Sequence, residues 1–193
     1  HPDWFTDDVI PQTYNGEPFT DPEGRWFGAV LASFGIIHNT DAYARLGIEN
    51  APNHWSDLAD PRLRGELALA DPTKSGSINK AFEMVVQQAM QERYRKLEAA
   101  TTSVTDVEEQ AVREGWISGL RLLQKMGANA RYFTDSSQKV PIDVFQGDSA
   151  AGMCIDFYGR YQAEAVVRRE GASRIEYLTP PGGSVFSVDP IAM

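Results

Sequence analysis

The chain has 193 residues, 42% of them hydrophobic and 23% charged, and a net charge of −9. That length holds one domain, or two small ones, with a real core, and the ordinary composition excludes a disordered, collagenous or coiled-coil chain. The acidic balance argues against nucleic acid as the main partner, because phosphate binding needs a basic face, and no apolar run approaches the roughly 20 residues of a membrane-spanning helix.

The sequence opens on His1-Pro2-Asp3-Trp4, with neither an initiator methionine nor a signal-peptide pattern, and reads as a mature or excised piece. Residues 1–25 are rich in Pro, Gly and Asp, which predicts an extended leading segment. Trp26–Asn39 is apolar with strand character, bent at Gly28 and Gly35. Thr40 caps a short helix, Asp41–Leu46, that stops at Gly47, and His54–Leu58 reads as a helical turn. Leu67–Ala70 is a short strand. A long helix follows over about Ile78–Ala99, with Ile78, Phe82, Val85, Val86 and Ala89 as its apolar stripe.

After a polar break at Thr101–Thr105, a second long helix runs to Met126. Val112, Trp116, Leu120 and Leu123 form its apolar face, and Gly127 is the expected C-cap. Ala130–Thr134 reads as a strand, Asp135-Ser136-Ser137 opens a helix ended by Gly147, and Ala150–Ile155 is a buried-type strand. Tyr158–Glu170 is helical, Arg174–Thr179 a strand, residues 180–183 a turn, and Val185–Met193 begins a further element. Strands alternating with helices predict an α/β layer structure.

Little here points to catalysis. His1, His38 and His54 fit no metal spacing, and no nucleophile-elbow, phosphate-loop or zinc-protease motif occurs. The single cysteine, Cys154, excludes an internal disulfide and reads as core packing. The informative pattern is a polar loop between strand and helix, met three times. Thr73-Lys74-Ser75-Gly76-Ser77 places hydroxyls and a small residue at a helix N-terminus, where unpaired N–H groups and the helix dipole favour an anion. Thr134-Asp135-Ser136-Ser137 is the second loop, and Asp156-Phe157-Tyr158-Gly159-Arg160 is the third. Each alone is explained by ordinary N-capping. Together, at the carboxyl ends of strands in one sheet, they predict one ligand crevice. The candidate ligand-binding residues are Ser75, Gly76, Ser77, Ser136, Ser137, Asp156 and Tyr158. Neither a metal site nor a cofactor is expected.

These residues also carry a family resemblance. Gly24-Arg25-Trp26-Phe27-Gly28, Ile36-Ile37-His38-Asn39, Trp55-Ser56-Asp57-Leu58, Gly65–Pro72, Ser75-Gly76-Ser77, Gln146–Gly152 and Asp156-Phe157-Tyr158, in that order, resemble the extracellular solute-binding proteins of bacterial ABC importers. The branch holding ferric-iron binders and binders of phosphorylated sugars and related organophosphates is most similar. The resemblance implies a periplasmic-binding-protein type II lobe, a central mixed sheet with helices on both faces. It implies that residues 26–193 are a second lobe with hinge strands, and that a first lobe of the full-length chain completes the cleft. It also implies a small polar, anionic solute, a membrane permease as partner, and a periplasmic or otherwise extracytoplasmic location. Iron binders of this type place two adjacent tyrosines after the strand matching Ala150–Ile155. Here Tyr158 is followed by Gly159, which counts against iron, a hard cation that wants several anionic oxygens. An iron-binding receptor, an enzyme on an α/β lobe and a pure interaction domain are the rival readings.

Overall fold

The computed structural model describes residues 6–14, 16–100, 104–181 and 187–192. Its contacts divide the chain into two compact units, His1–Ser33 with Val185–Met193, and Phe34–Ser184. The composition change noted in the sequence falls earlier, at residues 25 and 26. The apolar run Trp26–Asn39 is therefore two strands in two units.

In the first unit, β1 (Thr13–Tyr14) and β2 (Glu17–Pro18) form a minimal antiparallel pair. β3 (Trp26–Ala32) pairs antiparallel with β9 (Ser187–Ala192), Trp26 opposite Ala192, and the register is irregular between Gly28 and Val30. The Phe19 ring lies flat on Gly28, where a Cβ would stand 2.7 Å from it. Arg25 grips Asp21 in a fork, Nε to Oδ2 at 2.8 Å and Nη2 to Oδ1 at 3.0 Å. Those bonds hold the Asp21 carboxyl down to about 2.

The second unit follows the order β4 (Phe34–Asn39), α1 (Thr40–Arg45), 3-10 turns at Trp55–Ala59 and Pro61–Leu63, β5 (Leu67–Ala70), α2 (Gly76–Glu98), α3 (Val104–Asn129), β6 (Ala130–Thr134), α4 (Lys139–Gln146), β7 (Ala151–Ile155), α5 (Asp156–Glu170) and β8 (Ile175–Leu178). Its sheet has the strand order β6-β5-β7-β4-β8. β5, β6 and β7 run parallel, and β4 is antiparallel to β7 and β8. The sheet is mixed, as expected. β4, β5 and β7 are buried along their whole length. That is why they read as unbroken apolar runs and not as alternating ones.

Helices cover both faces. Gly152 on β7 lies under Val140 of α4, and Cys154, two residues on, lies under Gly159 of α5. On the other face Phe133 packs at Gly127 of α3, while the adjacent Tyr132 turns across the strand and donates its hydroxyl to Asp143 of α4 at 3.0 Å. α2 and α3 approach closely because Gly115 and Gly119 carry no side chain. A Cβ on Gly119 would stand 2.7 Å from Val86 Cα, and one on Gly115 would meet the backbone of Met90.

Several expectations are corrected. α3 buries Val107, Ala111 and Met126, while Val112, Trp116 and Leu120 are exposed. The small residues, not the large ones, set the packed face, since they let the α2 backbone come near. Gly127 does not cap α3, which continues to Asn129. The buried Asn129 side chain donates to Leu58 O at 3.0 Å and Asp60 O at 2.8 Å, anchoring the turn beyond the glycine. Asn39, not Thr40, caps α1, its side chain accepting from Asp41 N and Ala42 N. α5 begins at Asp156, two residues before the expected start, with an acid suited to the positive end of the helix dipole. Gly147 ends its helix as expected, with φ of 82°, and Gly171 ends α5 in the same way, with φ of 78°. The expected turn at residues 180–183 and the break at Thr101–Thr105 lie largely outside the described residues.

Candidate functional site

Because β5, β6 and β7 are parallel, their carboxyl ends at Ala70, Thr134 and Ile155 open on one edge of the sheet. The three polar loops all leave from that edge, the usual place for a ligand in an open α/β sheet.

The first loop is held by Asp71, whose Oδ1 accepts from Thr73 N at 2.9 Å and from Thr73 Oγ1 at 2.7 Å. The bonds from Thr73, and then the nearby Lys74 ammonium, hold the Asp71 carboxyl below its ordinary value. This turn delivers Ser75 to the N-cap position of α2. Ser75 is buried, yet its side chain makes no capping bond. Its hydroxyl instead lies 3.2 Å from that of Ser77, and the Ser77 hydroxyl lies 2.9 Å from that of Ser137 in the loop between β6 and α4. Capping therefore does not account for Ser75, and the first two loops are in direct contact.

Gly76 is the first residue of α2 and exposed, with nothing within 4 Å of the place a Cβ would take. Its φ is not positive, so the glycine is not demanded by the turn.

The contact continues to the third loop. Gln138 donates from Nε2 to the Tyr158 hydroxyl at 2.8 Å. Gln138 directly follows Ser137, so Ser75, Ser77, Ser137, Gln138 and Tyr158 form a continuous polar rim along the edge. Ser136 stands just behind it, its carbonyl accepting from Thr134 Oγ1 at 2.8 Å. Asp156 reaches the edge as the first residue of α5, and its Oδ1 accepts from Phe157 N at 2.8 Å. Of the seven residues singled out in the sequence, Ser75, Ser77, Ser137 and Tyr158 are joined by this chain of contacts. Gly76, Ser136 and Asp156 share the edge by position.

Gln138 was missed, and only its place directly after the Ser136-Ser137 pair could have signalled it. Charges flank the rim in pairs, Lys74 with Asp71 at 3.7 Å and Lys139 with Asp135 at 2.7 Å. Hydroxyls, an amide and helix N-termini can together hold a polar or anionic group by hydrogen bonding.

A sequence profile described as "bacterial extracellular solute-binding protein" matches residues 5–193. The chain belongs to that family. Membership puts the protein on the outer side of the bacterial cytoplasmic membrane. The fold is shared with the periplasmic binding protein AfuA of Actinobacillus pleuropneumoniae, solved with fructose-6-phosphate, at a TM-score of 0.63 and 19% identity over 89% of this chain and 47% of that one. It is shared too with the apo ferric ion-binding protein A of Pasteurella haemolytica, at a TM-score of 0.54 and 15% identity over 90% of this chain and 47% of that one. A protein of Haemophilus influenzae described as uncharacterized is 38% identical over 77 residues, 37% of this chain and 22% of the relative. The chain thus spans about half the length of these solved structures and less of the sequence relative. The type II periplasmic-binding-protein lobe expected from the sequence is the fold observed.

Proposed function

We propose that this chain supplies one half of the solute cleft of an ABC importer's binding protein, and that its serine rim grips an anionic group of a small polar solute. A first lobe of the full-length protein closes the cleft, and a membrane permease receives the solute. One observation carries the reading. Ser75 sits at a helix N-cap but leaves its capping bond unmade, turning its hydroxyl into a line with Ser77 and Ser137. The solved relative holding fructose-6-phosphate makes a sugar phosphate the natural first probe.

The iron alternative asks for a second phenolate beside Tyr158. Gly159 stands there, buried, and a Cβ on it would lie 2.9 Å from Tyr177 Cε2 and 3.0 Å from Cys154 Sγ. Packing of α5 on β8 and β7 thus keeps that position a glycine, which favours an anion over ferric iron. For an enzyme, a base would have to stand near the serines. His38 is at the far end of β4, opposite Ala151, whereas Phe34 lies opposite Ile155 at the rim. Burial also pushes the Cys154 thiol up, away from nucleophilic use.

Calorimetric titration of the full-length protein with fructose-6-phosphate tests the reading. Ser77→Ala is expected to weaken binding about tenfold, as loss of a hydrogen bond to a charged group does. Gly76→Val is expected to abolish binding while leaving the thermal midpoint unchanged. Equal affinity in wild type and both variants would refute the rim as the site.

A further inference from the structure

The edge of the sheet opposite the serine rim carries a cavity of its own. β4 ends there at Asn39, α1 follows, and residues 47–53 lead from α1 toward the 3-10 turn Trp55–Ala59. Those residues, Tyr43 and the two 3-10 turns enclose about 850 Å³, a volume in the range of small-molecule sites. Its lining is acidic. Glu49, Asp57 and Asp60 face it, with Arg62 as the one cation among the described lining residues. Arg62 is already committed, its Nη2 donating to Asp60 Oδ2 at 2.6 Å and its Nη1 to Gly47 O at 2.9 Å. Asp57 is fixed from below, because its Oδ2 accepts from Asn53 N and from His54 N, both at 2.8 Å. Its Oδ1 accepts no hydrogen bond among the described residues.

Tyr43 provides an independent sign of a ligand. It is only 5% exposed, and His38 holds its ring edge-on at 5.0 Å. A buried hydroxyl ordinarily has a hydrogen-bond partner, yet that of Tyr43 makes no hydrogen bond among the described residues. Burial, and then the charges of Asp57 and Asp60, raise its pKa. The hydroxyl end of the ring is therefore the end turned to the carboxylates, and with them it lines the cavity.

We propose that this cavity is a second binding site, distinct from the serine rim, and that it takes a small organic ammonium ion held between the Tyr43 hydroxyl and Asp57. An ammonium carries three donors and no acceptor. One N–H donates to the Tyr43 hydroxyl oxygen and another to Asp57 Oδ1, and its charge answers the carboxylate excess of the lining. Pro52 and Leu63, both buried, give the organic part an apolar contact. A neutral alcohol of the same size would leave Asp57 without a counter-charge, and an anion would be repelled. A bare metal ion fits less well, since among the described residues no three acidic, imidazole or thiol groups stand close enough to hold one. The site does not rest on the reading given to the rim.

Amide NMR titration of the chain with n-butylammonium chloride tests this, with n-butanol and calcium chloride as parallel arms. Butylammonium is expected to shift the amides of residues 43–62 saturably and to leave those of Ser75, Ser77 and Ser137 in place. Butanol is expected to give no saturable shift. Tyr43→Phe, which removes only the hydroxyl, and Asp57→Asn, which keeps an acceptor for the Asn53 and His54 amides, are each expected to weaken binding about tenfold. Should a variant not fold, the contrast between butylammonium and butanol on the wild type decides the matter. No saturable shift with butylammonium overturns the proposal. So do equal affinities for butylammonium and butanol, equal affinities in wild type and both variants, or tighter saturation of the same amides by calcium.

Discussion

Two glycines on α3 separate packing from helix propensity. A Cβ on Gly119 would stand 2.7 Å from Val86 Cα and 3.2 Å from both Val86 Cβ and Cγ2. The obstructing atom is backbone, so Gly119→Ala must push α2 away. Overpacking of that kind costs about 1–3 kcal/mol, against about 1 kcal/mol recovered by replacing Gly with Ala inside a helix. The net expectation is a loss of about 1 kcal/mol. Gly127→Ala meets only Phe133 Cζ, at 3.7 Å, an ordinary contact. It keeps the propensity gain of about 0.5–1 kcal/mol. The same chemical change therefore has opposite signs on one helix. At about 2–4 °C per kcal/mol for a chain of this size, the two thermal midpoints should differ by about 3–8 °C. Thermal unfolding followed by circular dichroism measures it. A lowered midpoint for Gly127→Ala would mean that the helix ends there with positive φ, as the sequence pattern suggests. A raised midpoint for Gly119→Ala would mean that α2 and α3 do not touch at Val86.

Two further outcomes follow from buried groups. His38 is buried edge-on against Tyr43 at 5.0 Å, with its Nε2 3.8 Å from Glu176 Oε2, and burial lowers its pKa below 6.5 despite that carboxylate. The unfolded chain then takes up the proton first, so the stability this residue contributes is complete above pH 6.5 and is lost as pH falls below 6.5 toward the lower folded value. His38→Gln should flatten the slope of stability against pH in that window, and an unchanged slope would contradict the assignment. Gly159→Ala should destabilise by about 1–3 kcal/mol through overpacking, because its Cβ would press on Tyr177 and Cys154; urea denaturation that leaves the midpoint in place would show that α5 can move aside.

The sequence by itself determined the alternation of strands and helices, and with it the place of the site. Leu67–Ala70 and Ala151–Ile155 are apolar on both faces, which suits only strands covered on both sides. Each is followed by polar residues and a helix, so Ser75, Ser77 and Tyr158 could be named before any geometry was known, and Ser137 by the same polar pattern after Ala130–Thr134. Tertiary structure decided which face of α3 is core. Helical periodicity reveals a stripe, but α3 carries two, the large Val112-Trp116-Leu120 and the small Ala111-Gly115-Gly119. Hydrophobicity alone favours the first, whereas the close approach of α2 requires the second. The break between β3 and β4 was equally hidden, because an apolar run looks the same whether its strands join one sheet or two. Gln138 stayed invisible for a related reason. A loop amide has no signal of its own until the fold brings it to the hydroxyl of Tyr158, twenty residues away, as parallel strands bring distant chain segments to a common edge.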